Sequence, residues 1–364
     1  MKRGVLLFLS IVLLSCSIDG IKEIHYSKKA ELVLEKRLEC AYSDSFYIGK
    51  VTDIEVIKNK IYVSDRVQCK VFVFDENLNC IASSGGKGRG PGEFVRVPSL
   101  TKINDSLVTP TLPQGLICYL NDKFEVIKAV RAEKRRFGDT FGDFVQIGSK
   151  IIYAANNKPH GMQPTLNGIT TAVVKDGKNE KEICLLDKRY LDNQETENFR
   201  GSGVGSYVIK GFGNTFFVIQ RKILKLFQYD ENGNLVNTLK YKPVHFTSAP
   251  LYSLKEFYGL SKVKKDEYYQ KETFISRGCY DEAKKLVIVN YWRYGKNGFS
   301  TLSNSGVKSF IYVINENYEC ILDVPIEGKF KAFDNGYLYT IVGDQEKLQI
   351  NKYSIRLLNE NKQK

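Results

Sequence analysis

The sequence is poor in the residues that build metal centres and disulfide-rich scaffolds. Its 364 residues include only three His, eight Cys and one Trp, and no Cys-x-x-Cys pair occurs. The three His lie far apart, and the Gly-x-Ser-x-Gly pattern of many Ser hydrolases is missing. We therefore expect neither a metal-rich nor a disulfide-dense fold, and no cofactor.

The chain also lacks the composition of a disordered or multispan membrane protein. Hydrophobic residues make up 43% of it and charged residues 26%, which is a globular balance. A net charge of +13 is often a sign of nucleic-acid binding, but here the Lys residues are spread over strand ends and turns. We expect no nucleic acid, and interpret the charge as a basic surface near anionic lipid or polysaccharide.

The N-terminus predicts an exported and lipid-anchored protein. Met1–Arg3 is a short basic segment, and the ten residues 5–14 are apolar except for Ser10. This run is too short to span a bilayer as a helix but fits the core of a signal peptide. The following Leu13-Leu14-Ser15-Cys16 resembles the bacterial lipobox, which implies cleavage before Cys16 and acylation of its thiol. A plain secretory signal with a chance Cys is the alternative.

These features divide the chain into three parts. We expect a signal peptide over residues 1–15, a tether over residues 16–30 and a folded domain over residues 31–360. Loss of the signal peptide removes Lys2 and Arg3 and lowers the net charge to +11. Acyl chains on Cys16 would hold the protein on a membrane, because each buried CH₂ contributes ~0.8 kcal/mol.

The other seven Cys are scattered through apolar, strand-like segments. Because seven is an odd number, at least one of them is unpaired or joined to another molecule. We interpret them as buried structural thiols and leave their disulfide state open. They are Cys40, Cys69, Cys80, Cys118, Cys184, Cys279 and Cys320.

Short runs of β-branched and aromatic residues recur along the chain and predict strands. Many of these runs end at Asp, Asn or Gly residues, which favour tight turns. Successive turns are 47, 54, 54 and 85 residues apart. About four strands in roughly 40–55 residues are typical of one blade of a β-propeller. The turns lie at Asp75, Asp122, Asp176, Asp230 and Asn315.

The two irregular parts of this repeat have specific interpretations. The last unit, from Gly328 to Leu358, has no clear turn, so we expect a strand near Glu31–Cys40 to complete it and close the ring. The interval of 85 residues carries an insertion over about Pro243–Phe274 that is charged, rich in Tyr and compatible with helix. The sequence therefore predicts an all-β, six-bladed β-propeller with a short helical insertion. Five or seven blades, or a pair of β-sandwich domains, are the alternatives.

A Gly-rich segment, Ser84-Gly-Gly-Lys-Gly-Arg-Gly-Pro-Gly-Glu-Phe94, follows the first hairpin. Its alternate glycines suit a tight turn between blades, and we expect Phe94 to pack between neighbouring sheets. Together with Lys60–Arg66 and Val71–Asp75, the segment resembles the NHL-like six-bladed β-propeller lipoproteins of Bacteroidetes. The resemblance is strong over residues 48–98 and is one of pattern elsewhere. It implies a lipobox followed by a propeller, and it implies no reaction, because that family is largely uncharacterised as to activity.

The resemblance also bears on location. In Bacteroidetes lipoproteins, an acidic run after the lipidated Cys is associated with display on the cell surface. The segment Ser17–Gly20 has no such run. We therefore expect a lipid-anchored protein of the bacterial cell envelope, on the outer membrane and facing the periplasm.

Polar groups at strand ends are the candidate binding residues, because propellers bind ligands where loops converge over the central channel. Asp65 and Arg66 follow a strand of the first unit, and Trp292 and Arg293 follow a strand of the fifth. Arg pairs with carboxylate or phosphate, and Trp stacks on sugars or peptides. The alternative is that Asp65 caps a turn and Trp292 packs between blades.

No catalytic constellation is evident, so we predict no catalytic residues. The expected function is a non-catalytic binding or scaffold module for a peptide, glycan or protein partner, held on the membrane through Cys16. The alternative is a metal-assisted propeller lyase or hydrolase, with His160 and His245 as metal ligands. Both His lie in irregular segments.

Overall fold

The computed structural model contains six β-sheets, which are the blades of a propeller. One sheet has five strands and the other five sheets have four strands each. The structure describes residues 21–42, 46–88, 93–94, 100–103, 106–111, 116–121, 126–131, 144–154, 170–185, 206–220, 225–247, 254–295, 307–342 and 347–358. The predicted signal peptide and Cys16 lie outside these residues.

The first three blades follow one another along the chain, each as an antiparallel sheet. Blade 1 consists of β3 (Val51–Ile57), β4 (Lys60–Asp65), β5 (Lys70–Phe74) and β6 (Cys80–Gly85). Blade 2 consists of β7 (Thr101–Ile103), β8 (Ser106–Thr111), β9 (Leu116–Leu120) and β10 (Val126–Arg131). Blade 3 consists of β11 (Phe144–Ile147), β12 (Lys150–Ala154), β13 (Thr170–Asp176) and β14 (Asn179–Leu185).

The other three blades include two strands from the N-terminal part of the chain. Blade 4 consists of β15 (Ser206–Lys210), β16 (Thr215–Gln220), β17 (Lys225–Asp230) and β18 (Leu235–Lys240), with β1 (Ile21–Glu23) added at its edge. Blade 5 consists of β19 (Thr273–Asp281), β20 (Leu286–Tyr294), β21 (Val307–Asn315) and β22 (Cys320–Ile326). Blade 6 consists of β23 (Lys329–Asp334), β24 (Tyr337–Ile341), β25 (Lys347–Leu357) and β2 (Ala30–Ala41).

The blades are arranged in a ring around a central channel. The innermost strands are β3, β7, β11, β15, β19 and β23, and each contacts the innermost strand of the next blade. The contact between β23 of blade 6 and β3 of blade 1 closes the circle. The predicted six-bladed propeller is therefore confirmed, and a pair of β-sandwich domains is excluded.

The ring is closed by the pairing of a strand from the N-terminal part of the chain with a strand from its C-terminal part. β2 pairs antiparallel with β25 along its whole length, from Ala30 with Leu357 to Ala41 with Lys347. The strand predicted near Glu31–Cys40 thus completes the last blade as its outermost strand. This pairing also explains why the last unit has no turn before its outermost strand, because β25 and β2 come from opposite ends of the chain.

Part of the segment that we predicted as a tether runs along the outer edge of the ring. Ile21–Glu23 pairs in parallel with β18 of blade 4, and Tyr26 then bridges to Cys320 of blade 5. Lys29 N donates to the Ile321 carbonyl, 3.0 Å away, just before β2 begins. Residues 21–30 therefore connect the edges of three successive blades.

Asx turns join the third and fourth strands of several blades. Asp75, Asp230 and Asn315 each use Oδ1 to accept hydrogen bonds from the backbone N–H groups two and four residues later, at 2.8–3.0 Å. Such local acceptors favour turns over continued strand. The turns that recur in the sequence therefore also share one side-chain geometry.

The insertion between blades 4 and 5 is helical, as predicted. Helix α1 covers Leu254–Gly259 and helix α2 covers Lys262–Lys271. Ser261 caps α2 by accepting from Lys264 N, and the helix packs on β20. In the described part of the chain, no helix is both long and apolar enough to cross a membrane.

The Gly-rich segment lies between blades 1 and 2. Phe94 packs against a core cluster that includes Val73 of blade 1 and Leu100 at the start of blade 2, as the sequence predicts. A Cβ on Gly85, where φ is +102°, would lie 2.8 Å from the Phe94 ring. Glycine is therefore needed at this position. Arg89, Gly90, Pro91 and Gly92 lie outside the described residues.

The described Cys side chains are all free thiols. Cys69, Cys184 and Cys320 are buried, as expected of structural thiols, and Cys40 and Cys279 are half-buried. Cys80 is exposed, which differs from the expectation. Burial raises the pKa of the Cys320 thiol to about 11, so this group stays protonated at neutral pH.

Candidate ligand site at the entry end of the channel

The four predicted binding residues lie at the same end of the ring. The innermost strand of blade 1 begins at Val51, which pairs with Asp65. The innermost strand of blade 5 begins at Thr273, which pairs with Arg293. We call this end, where the innermost strands begin, the entry end of the channel.

Asp65 organises the loops at the entry end of blade 1. Its carboxylate is completely buried and accepts backbone hydrogen bonds from Gly49 and Val67, both at 2.7 Å, and from Lys50 at 3.2 Å. Gln68 Nε2 donates to it as well, at 3.1 Å. Two loops are therefore held together by one carboxylate, and its role in binding a ligand stays a prediction.

Arg66 follows directly and its side chain is exposed. Its backbone N–H donates to the Lys50 carbonyl, 2.9 Å away. The hydrogen bonds of Asp65 and Arg66 thus fix the backbone of Lys50 beside that of Arg66. Two cationic side chains start from this short stretch of the entry end.

Trp292 and Arg293 lie side by side in β20, so they point to opposite faces of blade 5. The Trp292 ring stacks on Phe274 with centroids 4.9 Å apart and meets Tyr294 edge-on at 4.9 Å. The Arg293 guanidinium lies 5.6 Å from the centre of the Phe310 ring. The structure does not bring these two side chains together, and their binding role stays a prediction.

His245 belongs to a segment that is fixed on blade 5. Tyr241 Oη and Val244 N donate to the buried Asp323 carboxylate at 2.7 and 2.6 Å. The His245 ring stacks on Phe310 with centroids 4.7 Å apart. His160 lies outside the described residues, and within them no group of three or more His, Cys, Asp or Glu side chains is arranged to hold a metal.

A network of ion pairs crosses the channel just below the entry end. Arg277 of blade 5 donates through Nη1 to Asp53 at 3.0 Å and through Nη2 to Glu55 at 3.2 Å, both on the innermost strand of blade 1. Only 13% of the Arg277 side chain, 14% of Asp53 and 6% of Glu55 is exposed. These charges are largely removed from water, so each depends on its partner.

The network extends to the two blades that flank blade 1. Lys331 of blade 6 lies 3.8 Å from the Asp53 carboxylate. On the other side, the backbone N–H groups of Leu100 and Lys102 of blade 2 donate to Asp53 and Glu55 at 3.1 and 3.2 Å. Two carboxylates on one strand therefore connect blades 1, 2, 5 and 6.

β-Bulges place these side chains. The innermost strands of blades 1, 5 and 6 each contain one extra residue, which is Thr52, Ser276 or Lys331. A bulge frees backbone groups from the ladder and redirects the strand. The Lys331 carbonyl accepts a hydrogen bond from Arg277 Nη1, and the Thr52 carbonyl accepts one from Lys331 Nζ at 2.7 Å. Carbonyls of bulged residues therefore become acceptors for the cations of the network.

Lys329 lies at the entry end with an excess of positive charge around it. It is the first residue of β23 and is half-buried. Burial and repulsion from Lys331 and Lys50 lower the pKa of its amino group to about 8. Among the described residues, none accepts a hydrogen bond from Lys329 Nζ. The described residues thus compensate the charge of this amine poorly.

Sequence reasoning missed Asp53, Glu55, Arg277, Lys329 and Lys331. The sequence does contain a pattern that could have indicated them. Asp53 and Glu55 are two residues apart in one strand-like segment, and Lys329 and Lys331 are two residues apart in another. Charged residues at alternate positions of a strand lie on one face of the sheet, and a charged face next to a neighbouring blade needs partners there. This pattern can be interpreted only when it is known which strand of each blade is innermost, and the sequence alone does not show that.

Comparisons with known proteins agree with the architecture. The family model DUF5128, described as a 6-bladed beta-propeller, matches residues 16–108. A crystal structure of a member of the DUF4221 family from Bacteroides vulgatus has a TM-score of 0.64 at 14% identity, with 91% of this chain and 99% of that chain covered. A putative exported protein from Bacteroides fragilis has a TM-score of 0.57 at 13% identity, with 93% and 99% covered.

At these identities the likeness concerns the fold alone. Among curated proteins, none matches this sequence. The sheet order, the contacts between innermost strands and the family model lead to the same conclusion, which is that this chain forms a six-bladed β-propeller.

Proposed function

We propose that this protein is a lipoprotein of the bacterial cell envelope whose propeller is a non-catalytic binding module. Its ligand, a peptide, a glycan or a partner protein, binds at the entry end of the channel. The observation that supports this most strongly is the contrast along the channel. Arg277, Asp53 and Glu55 compensate one another within it. At the entry end, by contrast, Lys50, Lys329 and Arg66 form no ion pair with any residue that the structure describes.

Aromatic side chains extend the site on blade 5. Trp292 is half-buried next to Tyr294, and Tyr269 of helix α2 meets Tyr294 edge-on at 5.9 Å. Aromatic rings that are partly exposed contribute to the binding of sugars and peptides because they combine apolar area with polar edges. Basic groups on blades 1 and 6 and aromatic groups on blade 5 together suit a ligand that carries both negative charge and apolar surface.

The binding proposal is tested with two substitutions at the entry end. Peptides, glycans and envelope proteins are screened against the full chain, and each ligand found is titrated against Arg66→Ala and Trp292→Ala. Both variants are expected to weaken binding at least tenfold, whereas Lys178→Ala, at the β13–β14 turn of blade 3, is expected to bind as wild type does. If both entry-end variants bind every ligand as tightly as the control does, the site is placed wrongly.

The anchor proposal rests on the lipobox-like Leu13-Leu14-Ser15-Cys16. Cys16→Ser removes the thiol that would be acylated, so this variant is expected in the soluble fraction of lysed cells. The wild type is expected in the membrane fraction and to incorporate labelled fatty acid. A Cys16→Ser protein that stays with the membranes would contradict the anchor.

A further inference from the structure

We propose that Lys329, Lys331 and Lys50 form a binding site for a tetrahedral oxyanion, the phosphate or sulfate group of the ligand. This inference rests on the proposed binding function and names the chemistry of the ligand at that same site.

The register of blade 6 places Lys329 beside blade 1. Lys329 pairs with Ile341 of β24, and cross-strand partners share one face of a sheet. Ile341 belongs to the core cluster that also contains Ile54 and Val56 of blade 1. The Lys329 side chain therefore starts on the blade 1 side of blade 6, at the end where Lys50 precedes β3.

Lys331, two residues after Lys329, also reaches blade 1. As the bulged residue of β23, it donates to the Thr52 carbonyl of blade 1 at 2.7 Å. Repulsion from Lys331 and Lys50 adds to burial in lowering the pKa of Lys329. Lys329 and Lys331 thus lie at the gap between blades 6 and 1, and Lys50 directly precedes β3 at the same end.

In the described part of the chain, the carboxylates nearest this gap already have partners. Asp65 is surrounded by backbone N–H groups from two loops. Asp53 accepts from Arg277 and from the backbone of Leu100, and it also lies 3.8 Å from Lys331. Lys331 is therefore partly compensated, and Lys329 is the lysine whose charge most needs an anion. Gathering like charges costs free energy that a bound anion would offset, and the half-buried position of Lys329 strengthens its attraction for such an anion.

The donor type favours a tetrahedral oxyanion over a carboxylate. A carboxylate is matched best by the planar fork of Arg, but the Arg277 guanidinium is already bound to Asp53 and Glu55. Ammonium groups are compact charges with rotatable donors and bind phosphate as point charges. Several ammonium groups around one centre suit an anion with three or four oxygens.

The test measures anion binding directly. The full-length protein in detergent is dialysed against radiolabelled inorganic phosphate and, separately, radiolabelled sulfate at constant ionic strength. We expect one bound oxyanion per chain, binding at least tenfold weaker in Lys329→Met, and unchanged binding in Lys178→Met. Lys178 is exposed in the β13–β14 turn, so its loss removes the same charge far from the entry end.

Competition separates the anion classes. Unlabelled acetate is expected to displace the label no better than chloride does. Preference for phosphate indicates a phosphorylated ligand and preference for sulfate a sulfated glycan, and either result supports the site. The inference fails if neither anion binds, if Lys329→Met binds as wild type does, or if acetate competes as well as phosphate. If it fails while screened ligands still depend on Arg66 and Trp292, the proposed binding function stands without it.

Discussion

The guanidinium of Arg277 on blade 5 lies 3.0 Å from the carboxylate of Asp53 on blade 1, across the channel from it. Blade 6 separates these two blades along the ring, so the ion pair bypasses one blade. It lies just below the lysines of the entry end. These charges thus connect blades 1 and 5 and lie directly below the candidate site.

Loss of Arg277 is expected to destabilise the ring strongly. Arg277→Ala leaves Asp53 and Glu55 buried without their cation, and breaking a buried pair in this way costs about 3–5 kcal/mol. The control is Arg356→Ala, since Arg356 pairs with Glu31 at 3.3 Å on the surface, where such pairs contribute about 0–1 kcal/mol. Urea unfolding measures both variants. Equal unfolding midpoints for the two would contradict the bracing role.

The buried carboxylate of Asp65 is expected to matter for stability as well as for the loops it holds. Asp65→Asn replaces one acceptor oxygen by an N–H₂ group that faces N–H donors, and the cost is about 1–3 kcal/mol. Asp176→Asn is the matched control. Asp176 is exposed, and among the described residues its carboxylate accepts a hydrogen bond only from Ser149 Oγ. A midpoint in urea that is the same for both variants would show that the loops do not depend on Asp65.

Because the N-terminal strand β2 closes the ring, substitution of two of its leucines is expected to lower the free energy of unfolding by different amounts. Leu38 is 4% exposed and packs in the core between blades 6 and 1, so Leu38→Ala is expected to cost about 2–5 kcal/mol. Leu34 on the same strand is 40% exposed, and its substitution is expected to cost within about 0.5 kcal/mol. Thermal and urea unfolding of both variants checks this. Similar small losses would mean that β2 does not seal the ring.

The pKa of Lys329 predicts a pH dependence of stability with a definite sign. Its folded-state pKa of about 8 lies below the 10.5 of an exposed lysine. Between these values the unfolded chain binds more protons than the folded chain, so the free energy of unfolding from this group rises with pH, by at most about 1.4 kcal/mol per pH unit. Below pH about 8 the charged amine opposes folding.

Lys329→Met should therefore be more stable than wild type below pH about 8, and this advantage should shrink as the pH rises toward 10.5. Ionisation of Tyr and Cys in the unfolded chain acts in the opposite direction at high pH, but it is common to both proteins and cancels in the difference. Chemical unfolding of the two proteins over this range gives that difference. An advantage that stays constant or grows with pH would contradict the assignment.

Much of the fold follows from local patterns in the sequence. Asp75, Asp230 and Asn315 are separated by blade-sized intervals, and each forms the same Asx turn in the structure. The absence of a clear turn in the last unit, Gly328–Leu358, correctly predicted that an N-terminal strand completes blade 6. These features depend on residues close in sequence, or on one strand that lacks a partner.

The candidate site could be predicted only in part, because it depends on contacts between distant residues. Their positions near strand ends point to Asp65, Arg66 and Trp292, whose role in binding stays a prediction. Arg277 could not, since the bulge at Ser276 decides where its side chain points. The same holds for Lys329, whose surroundings come from blade 1 at the opposite end of the chain.

The most direct measurement of the central claim is the fluorescence of Trp292, the only Trp in the chain. It lies half-buried at the entry end, so its emission reports on that end alone when it is excited selectively. A ligand that binds by calorimetry is expected to shift or quench this emission with the same dissociation constant, and Arg66→Ala is expected to weaken both signals together. Calorimetric binding that leaves Trp292 emission unchanged and does not depend on Arg66 would contradict a binding site at the entry end.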